Sequence, residues 1–290
     1  MSDVSSAGKL FYPADGITKG DVVAHYRTVA DVMVPHLRGR PLTLRRYPDG
    51  IDAEGWFQKE ASAHFPEWLR TERVPQRTKP GEFVRHAVCD DATTLEYLAS
   101  QATIEFHIWL SRVDSLDNPD LLVLDLDPAD TTGLPELRDV ARRARSLFAG
   151  IGLMPYLQTT GGRGFHIVTP LLGDAGFDEV RELAQRAAQR LAAEDRDRLT
   201  TAQRKDKRGQ RIFLDTNRNA YGQTFVAPYS LRARPGAPVA TPIDWSELGK
   251  TEPEGYHPRR IRQRLARKND PWHDIHADAA SAARALEKLS

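Results

Sequence analysis

Short strand-like runs, separated by longer stretches with helical periodicity, constrain the fold of this chain more than any other feature. The runs are six to nine residues long, and one of them, IEFHIW, alternates between apolar and polar residues as a half-buried strand does. In the longer stretches apolar residues recur at every third or fourth position, which is typical of amphipathic helices. The helices predicted in this way are 18–38, 134–151, 177–193 and one that begins within 89–102.

The order of these elements selects the fold class. Helices and strands are mixed without a regular strand–helix–strand rhythm, so the sequence predicts an α+β fold with a mixed or antiparallel sheet flanked by helices. The predicted strands lie within 41–48, 82–88, 103–110, 121–127, 154–160, 164–172, 211–216 and 224–232.

Composition bounds the class of protein. The 290 residues are 40% hydrophobic and 28% charged, with no internal repeat and no long low-complexity linker. The interpretation is one domain over 1–290 with a basic helical tail at about 250–290. The one cysteine, Cys89, excludes an internal disulfide and a cysteine-based zinc cluster. The sequence contains no signal-peptide pattern and no long apolar run, so we expect a soluble cytoplasmic protein with no membrane partner.

Two aspartates stand at the end of an apolar run, in LLVLDLDPAD. Asp125 and Asp127 are two residues apart and point to the same face of a strand, which Pro128 ends. Two unit charges about 4 Å apart repel by roughly 4 kcal/mol at an effective dielectric constant near 20. A divalent cation would turn that repulsion into chelation. The alternative is that both carboxylates lie at an exposed strand end and are solvated.

A glycine-rich turn joins two predicted strands in QTTGGRGFHIVTP. Glycines allow the backbone to approach a ligand closely, and successive backbone N–H groups can bind an anion. Arg163 adds donors that suit phosphate, and His166 follows in the next strand. The alternative is an ordinary glycine-rich hairpin.

Further candidates end or interrupt other strands. Asp215 ends the apolar run of RIFLDTNRN and would supply the third carboxylate that a pair of divalent ions needs, or else would serve as a turn or cap residue. His107 lies in IEFHIW, where a lone histidine is usually a satisfied core or surface residue. Cations are concentrated at 203–211 and at 259–268, although the formal net charge is only +1. Such runs are usually solvated, but their density matches the field of nucleic-acid phosphates.

Taken in order, the segments VLDLDP, TTGGRGFHIVTPL, FLDTNRN and VAPYSLRARPGAPVATPIDWSEL resemble the polymerase domain of bacterial ligase D. That domain belongs to the archaeo-eukaryotic primase superfamily. The N-terminal segments KLFYPADGITKGDVVAHY and GRPLTLRRYPDGIDAEGWFQKEA fit the same family, so the resemblance runs from about Lys9 to Leu248. It implies a primase-type fold and a template-directed nucleotidyltransferase, a DNA-dependent DNA/RNA polymerase that prefers ribonucleotides. The implied role is to fill short gaps or extend ends in non-homologous end joining.

The resemblance also implies ligands and contacts. Two manganese or magnesium ions would be held by Asp125, Asp127 and Asp215. The implied partners are nucleoside triphosphates, gapped or broken DNA with a 5′-phosphate, Ku, and a separate ATP-dependent DNA ligase. The implied location is the nucleoid. The residues matching the family's nucleotide contacts are Arg46, Lys59, His107, Thr160, Gly162, Arg163, His166 and Arg232, and those matching its 5′-phosphate contacts are Lys9 and Lys19.

The sequence departs from the family's pattern in places. Thr160 replaces a common serine, Arg163 replaces a frequent lysine, and TNRN follows Asp215 where an aromatic residue and glutamine are often found. The loop 203–210 corresponds to a family loop implicated in bridging DNA ends, but its sequence is variable. No K-x-D-G adenylation motif is present, so the chain is interpreted as a stand-alone or separated polymerase.

The sequence leaves three alternative functions open. One is gap filling in excision repair. Another is a phosphatase of the haloacid dehalogenase type, because Asp-x-Asp after an apolar strand and GDAGFD at 173–178 resemble its motifs, with Asp125 as nucleophile and Asp127 as general acid. A third is a DNA-end binding module that has lost catalysis.

Overall fold

The computed structural model describes residues 5–289, and these form two compact units. The first unit contains the described residues up to Asp114, together with Thr224–Ala240 and Tyr256–Asp270. The second contains Ser115–Gln223, Thr241–Gly255 and the described residues from Pro271 onward. Each unit combines helices with a mainly antiparallel sheet, as the predicted α+β class requires.

The elements are named here in chain order. The strands are β1 Leu10–Tyr12, β2 Ile17–Thr18, β3 Leu42–Arg46, β4 Trp56–Gln58, β5 Thr71–Pro75, β6 Phe83–Ala87, β7 Thr103–Trp109, β8 Leu121–Asp127, β9 Tyr156–Thr159, β10 Phe165–Pro170, β11 Leu199–Thr200, β12 Ile212–Asp215, β13 Thr224–Val226 and β14 Thr241–Ile243. The α-helices are α1 Lys19–Leu37, α2 Ala92–Ser100, α3 Leu134–Gly150, α4 Phe177–Glu194, α5 Pro258–Leu265 and α6 Ala282–Glu287. Short 3₁₀ helices are Pro13–Asp15, Val113–Ser115, Lys205–Lys207, Asn217–Asn219, Trp245–Lys250 and Ile275–Asp278.

The first unit contains a four-stranded antiparallel sheet in the order β13-β7-β3-β4 and the hairpins β1-β2 and β5-β6. Helix α1 packs against α2. It begins with a capping box, in which the Thr18 side chain accepts from the Asp21 N–H and the Asp21 carboxylate accepts from the Thr18 N–H. Such reciprocal bonds satisfy N–H groups that have no partner within the helix. The apolar face of α1 predicted from the sequence is buried, at Val22, Tyr26, Val29, Met33 and Leu37.

The second unit contains a six-stranded sheet in the order β11-β12-β8-β10-β9-β14. β11 and β12 are parallel, and the other pairs are antiparallel. β8 lies near the middle of this sheet and is apolar until its end, with Leu121, Leu122, Val123, Leu124 and Leu126 buried. Helix α4 packs on β8, and α3 packs on β10, so the polar end of β8 belongs to a buried core strand.

One predicted strand is shorter than expected. The run 224–232 forms a strand only over Thr224–Val226. Pro228 has no N–H to donate to a sheet, and Tyr229 has a positive φ of 65°, which breaks the extended conformation.

The predicted tail at about 250–290 is divided between the units. Residues Tyr256–Asp270, with α5, belong to the first unit, and the described residues from Pro271, with α6, belong to the second. Among residues 5–289, no helix is both long enough and apolar enough to cross a membrane.

Candidate functional site

The register of three strands in the second unit aligns a row of polar side chains. Asp215 on β12 lies directly opposite Asp125 on β8, and His166 on β10 lies opposite Asp125 from the other side. Directly paired residues of antiparallel strands have Cβ atoms about 4.5–5.5 Å apart. Asp127 follows two residues after Asp125 and therefore shares its face. The three aspartates and His166 predicted from the sequence are thus brought together by backbone pairing.

Each carboxylate of this row has a neighbouring donor. His166 Nε2 lies 3.5 Å from an oxygen of Asp125, and Arg208 Nη1 lies 3.5 Å from an oxygen of Asp127. The Asn217 N–H donates to Asp215 over 2.8 Å. The Asp125 side chain is 17% exposed and that of Asp127 is 49% exposed, so a ligand can reach both from solvent.

The charge of the cluster affects the protonation of Asp127. Burial raises the pKa of this carboxyl, and repulsion from Asp125 and Asp215 raises it further. The guanidinium groups of Arg163 and Arg208 act in the opposite direction, but the net shift of the pKa is upward. The carboxylates therefore carry negative charge that the neighbouring arginines do not fully compensate, which favours binding of a cation.

The side chains of the row do not have the geometry of a complete metal-binding site in this structure. Within residues 5–289, no group of three or more His, Cys, Asp or Glu side chains has the geometry to hold a metal ion. The donor set itself fits, since carboxylate oxygens are the ligands that hard divalent cations such as magnesium and manganese prefer. Metal binding by Asp125, Asp127 and Asp215 therefore stays a prediction.

The glycine-rich segment forms the turn of the β9-β10 hairpin, beside the row. The Thr160 hydroxyl accepts from the N–H groups of Gly162 and Gly164, at 3.1 and 3.3 Å, and donates to the Gly164 carbonyl at 3.0 Å. Gly161 has a positive φ of 62°. A Cβ on Gly164 would overlap the Leu126 carbonyl oxygen, so only glycine lets this turn approach β8 so closely.

Arg163 extends from this turn and is half exposed. It forms an ion pair with Asp130, which follows β8. His166 is buried, and its Nδ1 lies 3.5 Å from the side-chain nitrogen of Gln158 on β9. The predicted residues Thr160, Gly162, Arg163 and His166 therefore share one hairpin, which the strand register places next to Asp125.

The remaining predicted residues belong to the first unit. Arg46 on β3 donates to the Gln101 carbonyl and to the Gln58 side chain, at 2.7 and 2.8 Å, and Lys59 is exposed just after β4. His107 on β7 packs edge-on against Phe57, with ring centroids 5.5 Å apart.

A buried carboxylate, Glu105, lies beside His107 and two arginines of the first unit and was missed by the sequence reasoning. His107 Nε2 lies 2.9 Å from Glu105, Arg45 Nη1 lies 3.2 Å away and Arg232 Nε lies 3.4 Å away. Burial raises the pKa of Glu105, but the hydrogen bond to His107 and the charges of Arg232 and His107 outweigh it, so the pKa falls well below the usual range. The signal was present in IEFHIW, where Glu105 and His107 share a strand face.

Lys9 and Lys19 are neighbours in the first unit. The Lys19 N–H donates to the Lys9 carbonyl at 2.8 Å. The Lys9 ammonium pairs with Asp49 at 2.6 Å, and the Lys19 ammonium donates to the Ser5 carbonyl at 2.8 Å. Burial lowers the pKa of Lys19, and the positive charges of Lys9 and Arg46 lower it further. This concentration of positive charge is suited to an anion.

Comparison with known proteins identifies related chains. A family model described as LigD, primase-polymerase domain, matches residues 18–272. The protein named multifunctional non-homologous end joining DNA repair protein LigD, from Mycobacterium tuberculosis (strain H37Rv), is 35% identical over 289 residues. That match covers 97% of this chain and 38% of the relative. A LigD protein from Pseudomonas aeruginosa, named as a multifunctional non-homologous end joining protein, is 32% identical over 277 residues, covering 93% of this chain and 32% of the relative.

A solved structure has the same fold. The polymerase domain from Mycobacterium tuberculosis Ligase D, in complex with DNA, matches with a TM-score of 0.90 and 34% identity, covering 96% of this chain and 99% of that one. This match confirms the primase-type α+β fold. The chain spans well under half the length of both curated relatives.

Proposed function

The chain belongs to the LigD primase-polymerase domain family and is a nucleotidyltransferase, and on that premise we propose that it adds nucleotides, directed by a template, at short gaps and broken ends of DNA. The observation that carries the proposal is the row Asp215–Asp125–His166, with Asp127 on the same face and the glycine-rich turn beside it. Carboxylates in a row next to a backbone turn suited to phosphate are what transfer of a nucleotidyl group requires.

We assign divalent metal binding to Asp125, Asp127 and Asp215. When bound, two divalent ions activate the attacking 3′-hydroxyl and neutralise charge on the triphosphate. Burial, and then repulsion from Asp125 and Asp215, raises the pKa of Asp127, and this supports the assignment because a bound cation would stabilise the ionised carboxylate. Arg208, whose guanidinium packs over the ring of Phe213, holds one side of Asp127. The incorporation assay with manganese and with magnesium shows which of the two ions supports the reaction.

The turn residues position the triphosphate in this proposal. The Thr160 hydroxyl fixes the turn through Gly162 and Gly164, so the N–H groups of the turn are preorganised. The guanidinium of Arg163 leaves its ion pair with Asp130 and binds a phosphate oxygen instead. Arginine can bind a carboxylate or a phosphate through the same planar set of donors. Holding the triphosphate still contributes much of the rate of such a reaction.

The resemblance assigns Arg46, Lys59, His107 and Arg232 to further nucleotide contacts. Within their own unit, the role of Glu105 follows from its contacts with His107 and Arg232. It holds both side chains in place and compensates their charge. Glu105 is therefore a positioning residue in this proposal.

Lys9 and Lys19 bind the 5′-phosphate of the downstream strand in this proposal. Replacing both (Lys9→Ala with Lys19→Ala) is expected to remove most of the preference for gapped DNA with a 5′-phosphate over the same DNA with a 5′-hydroxyl. Hydrogen bonds to a charged group contribute about 1.5–3 kcal/mol, so the preference should fall roughly tenfold or more. Binding of the two DNAs by fluorescence anisotropy measures it. The control variant Lys79→Ala with Lys250→Ala removes the same number of lysine charges, here from two exposed side chains, and an equal loss of preference there would contradict the assignment.

The pathway is proposed from the relatives, whose names place them in non-homologous end joining. Ku and a separate ATP-dependent DNA ligase are the proposed partners, and the proposed location is the bacterial nucleoid in the cytoplasm. Gap filling in excision repair is the alternative pathway and would use the same chemistry. The family match does not favour a phosphatase of the haloacid dehalogenase type.

The test of the function is templated incorporation. The substrate is a duplex with a short gap and a 5′-phosphate, and labelled ribo- and deoxyribonucleotides are compared with manganese and with magnesium. We expect addition of the nucleotide complementary to the template, dependent on the metal, with ribonucleotides preferred. Binding of the duplex without any addition under either metal would instead support a non-catalytic DNA-end binding module.

A further inference from the structure

Helix α5 presents a cationic face to solvent. Its one buried residue is Ile261. Arg259 and Arg262 lie at least about 100° around the helix from Ile261, and Arg267 follows just after the helix ends. All three arginines are exposed. We name Arg259, Arg262 and Arg267 the outer arginine face.

The guanidinium groups of the outer arginine face are without partners in the part of the chain that the structure describes. Across residues 5–289, none of its three guanidinium groups takes part in an ion pair or a hydrogen bond. The other basic run of the chain, at 203–211, behaves differently. There Arg204 pairs with Asp206, and Arg208 lies beside Asp127. Arginines of the run 203–211 are therefore used within the fold, whereas Arg259, Arg262 and Arg267 of the run 259–268 direct their charge outward.

The sequence around α5 does nothing to offset this charge. No Asp or Glu occurs between 256 and 269, and the first turn of α5 contains no acid. Cations near a helix N-terminus are unfavourable because the helix dipole is positive there. Of the three arginines only Arg259 lies at that end, whereas Arg262 lies in the last turn and Arg267 after it, so the unfavourable contact with the helix dipole is that of Arg259 alone.

The shape of the face selects the kind of anion. Tyr256 is buried, with Arg260 and Arg264 against its ring at 4.8 and 5.4 Å. No exposed Phe, Tyr or Trp ring occurs between 256 and 268, so the face offers no platform on which bases of a single strand could stack. From Arg259 to Leu265 the helix is about 9 Å long at helical rise, and Arg267 lies two residues past its end. Phosphates on one strand of B-DNA are about 3.4 Å apart along the axis, so this length spans about three of them.

We propose that the outer arginine face binds the phosphate backbone of duplex DNA, through residues other than those assigned to nucleotide and 5′-phosphate binding. This inference rests on the proposed function, which makes duplex DNA the substrate. It adds a sequence-independent contact that would hold the flanking duplex.

The test compares two full-length variants that lose the same charge. One replaces the face (Arg259→Ala, Arg262→Ala and Arg267→Ala). The control replaces three exposed arginines of the second unit (Arg142→Ala, Arg181→Ala and Arg196→Ala), none of which forms an ion pair or side-chain hydrogen bond in the described chain. Binding of a labelled blunt duplex is measured against salt concentration, with a single strand of equal length in parallel, and thermal unfolding checks the fold.

We expect the face variant to bind the duplex roughly tenfold or more weakly at low salt. The slope of log affinity against log salt should fall by about 2 to 3, because each neutralised phosphate contributes about 0.9. The control should keep the slope of the original protein, and nucleotide addition at saturating DNA should be unchanged in both variants.

An unchanged slope in the face variant overturns the inference and would direct attention to an acidic protein partner. An equal loss in the control overturns it too, as does an equal loss of single-strand binding, which contradicts the duplex assignment. The proposed function can fail independently of this inference. If the unaltered protein binds the duplex through this face but adds no nucleotide, the proposed polymerase activity is refuted and the duplex-binding face is not.

Discussion

Asp125→Asn is expected to reduce templated incorporation by roughly a thousandfold or more, because it removes one carboxylate from the centre of the row. Asparagine is nearly isosteric, and the pairing of β8 with β12 and β10 depends on the backbone, so the fold should persist. Incorporation on the gapped duplex measures the loss. Titration of manganese, followed by its effect on water proton relaxation, should show weaker metal binding as a second readout.

The control for this prediction is Asp178→Asn, which changes an exposed aspartate in the first turn of α4. It should leave incorporation and manganese binding unchanged. Normal incorporation by an Asp125→Asn, Asp127→Asn double variant would remove the carboxylate row from the mechanism. Loss of activity with full manganese binding would keep the row in catalysis but refute its role as the metal site.

Glu105→Ala is expected to destabilise the protein by roughly 3–5 kcal/mol, the usual cost of breaking a buried ion pair from one side. Glu105 is 1% exposed, and its removal leaves Arg232, His107 and Arg45 without their shared carboxylate. Unfolding in urea followed by circular dichroism measures the change.

The matched control is Glu72→Ala, which breaks an exposed pair with Arg70 at 2.8 Å and should cost at most about 1 kcal/mol. The pH dependence provides a second check. The folded-state pKa of Glu105 is lowered, so its stabilisation is complete above the unfolded-state pKa of about 4.3 and is lost as pH falls below it. Glu105→Gln should reduce that loss, and equal stability losses for Glu105→Ala and Glu72→Ala would contradict the account.

Much of the fold could be predicted from periodicity. The α1 face from Val22 to Leu37 and the apolar strand β8 both follow from local patterns, and both are confirmed. Strands β4 and β14 were not predicted. Both are three residues long, which is too short for a pattern of alternation, and β14 contains Pro242, which usually argues against a strand.

The site could be predicted where its reactive side chains are close together in the sequence. Asp125 with Asp127, and the turn from Thr160 to His166, could be recognised directly. That Asp215 faces Asp125 depends on strand order, because β12 joins β8 although 84 residues lie between β8 and β12. The role of Glu105 depends on Arg232, which is 127 positions later in the chain, and no local pattern connects them.

The interleaving of the two units along the chain has a consequence for biosynthesis. The sheet of the first unit needs β13, at Thr224–Val226, and that of the second needs β14, at Thr241–Ile243. During translation β7 therefore emerges with one edge unpaired. More than a hundred further residues must be synthesised before β13 can pair with that edge. Exposed strand edges invite pairing with other chains. The chain is accordingly vulnerable to misassembly during translation, and no cut at a single peptide bond would yield either unit complete.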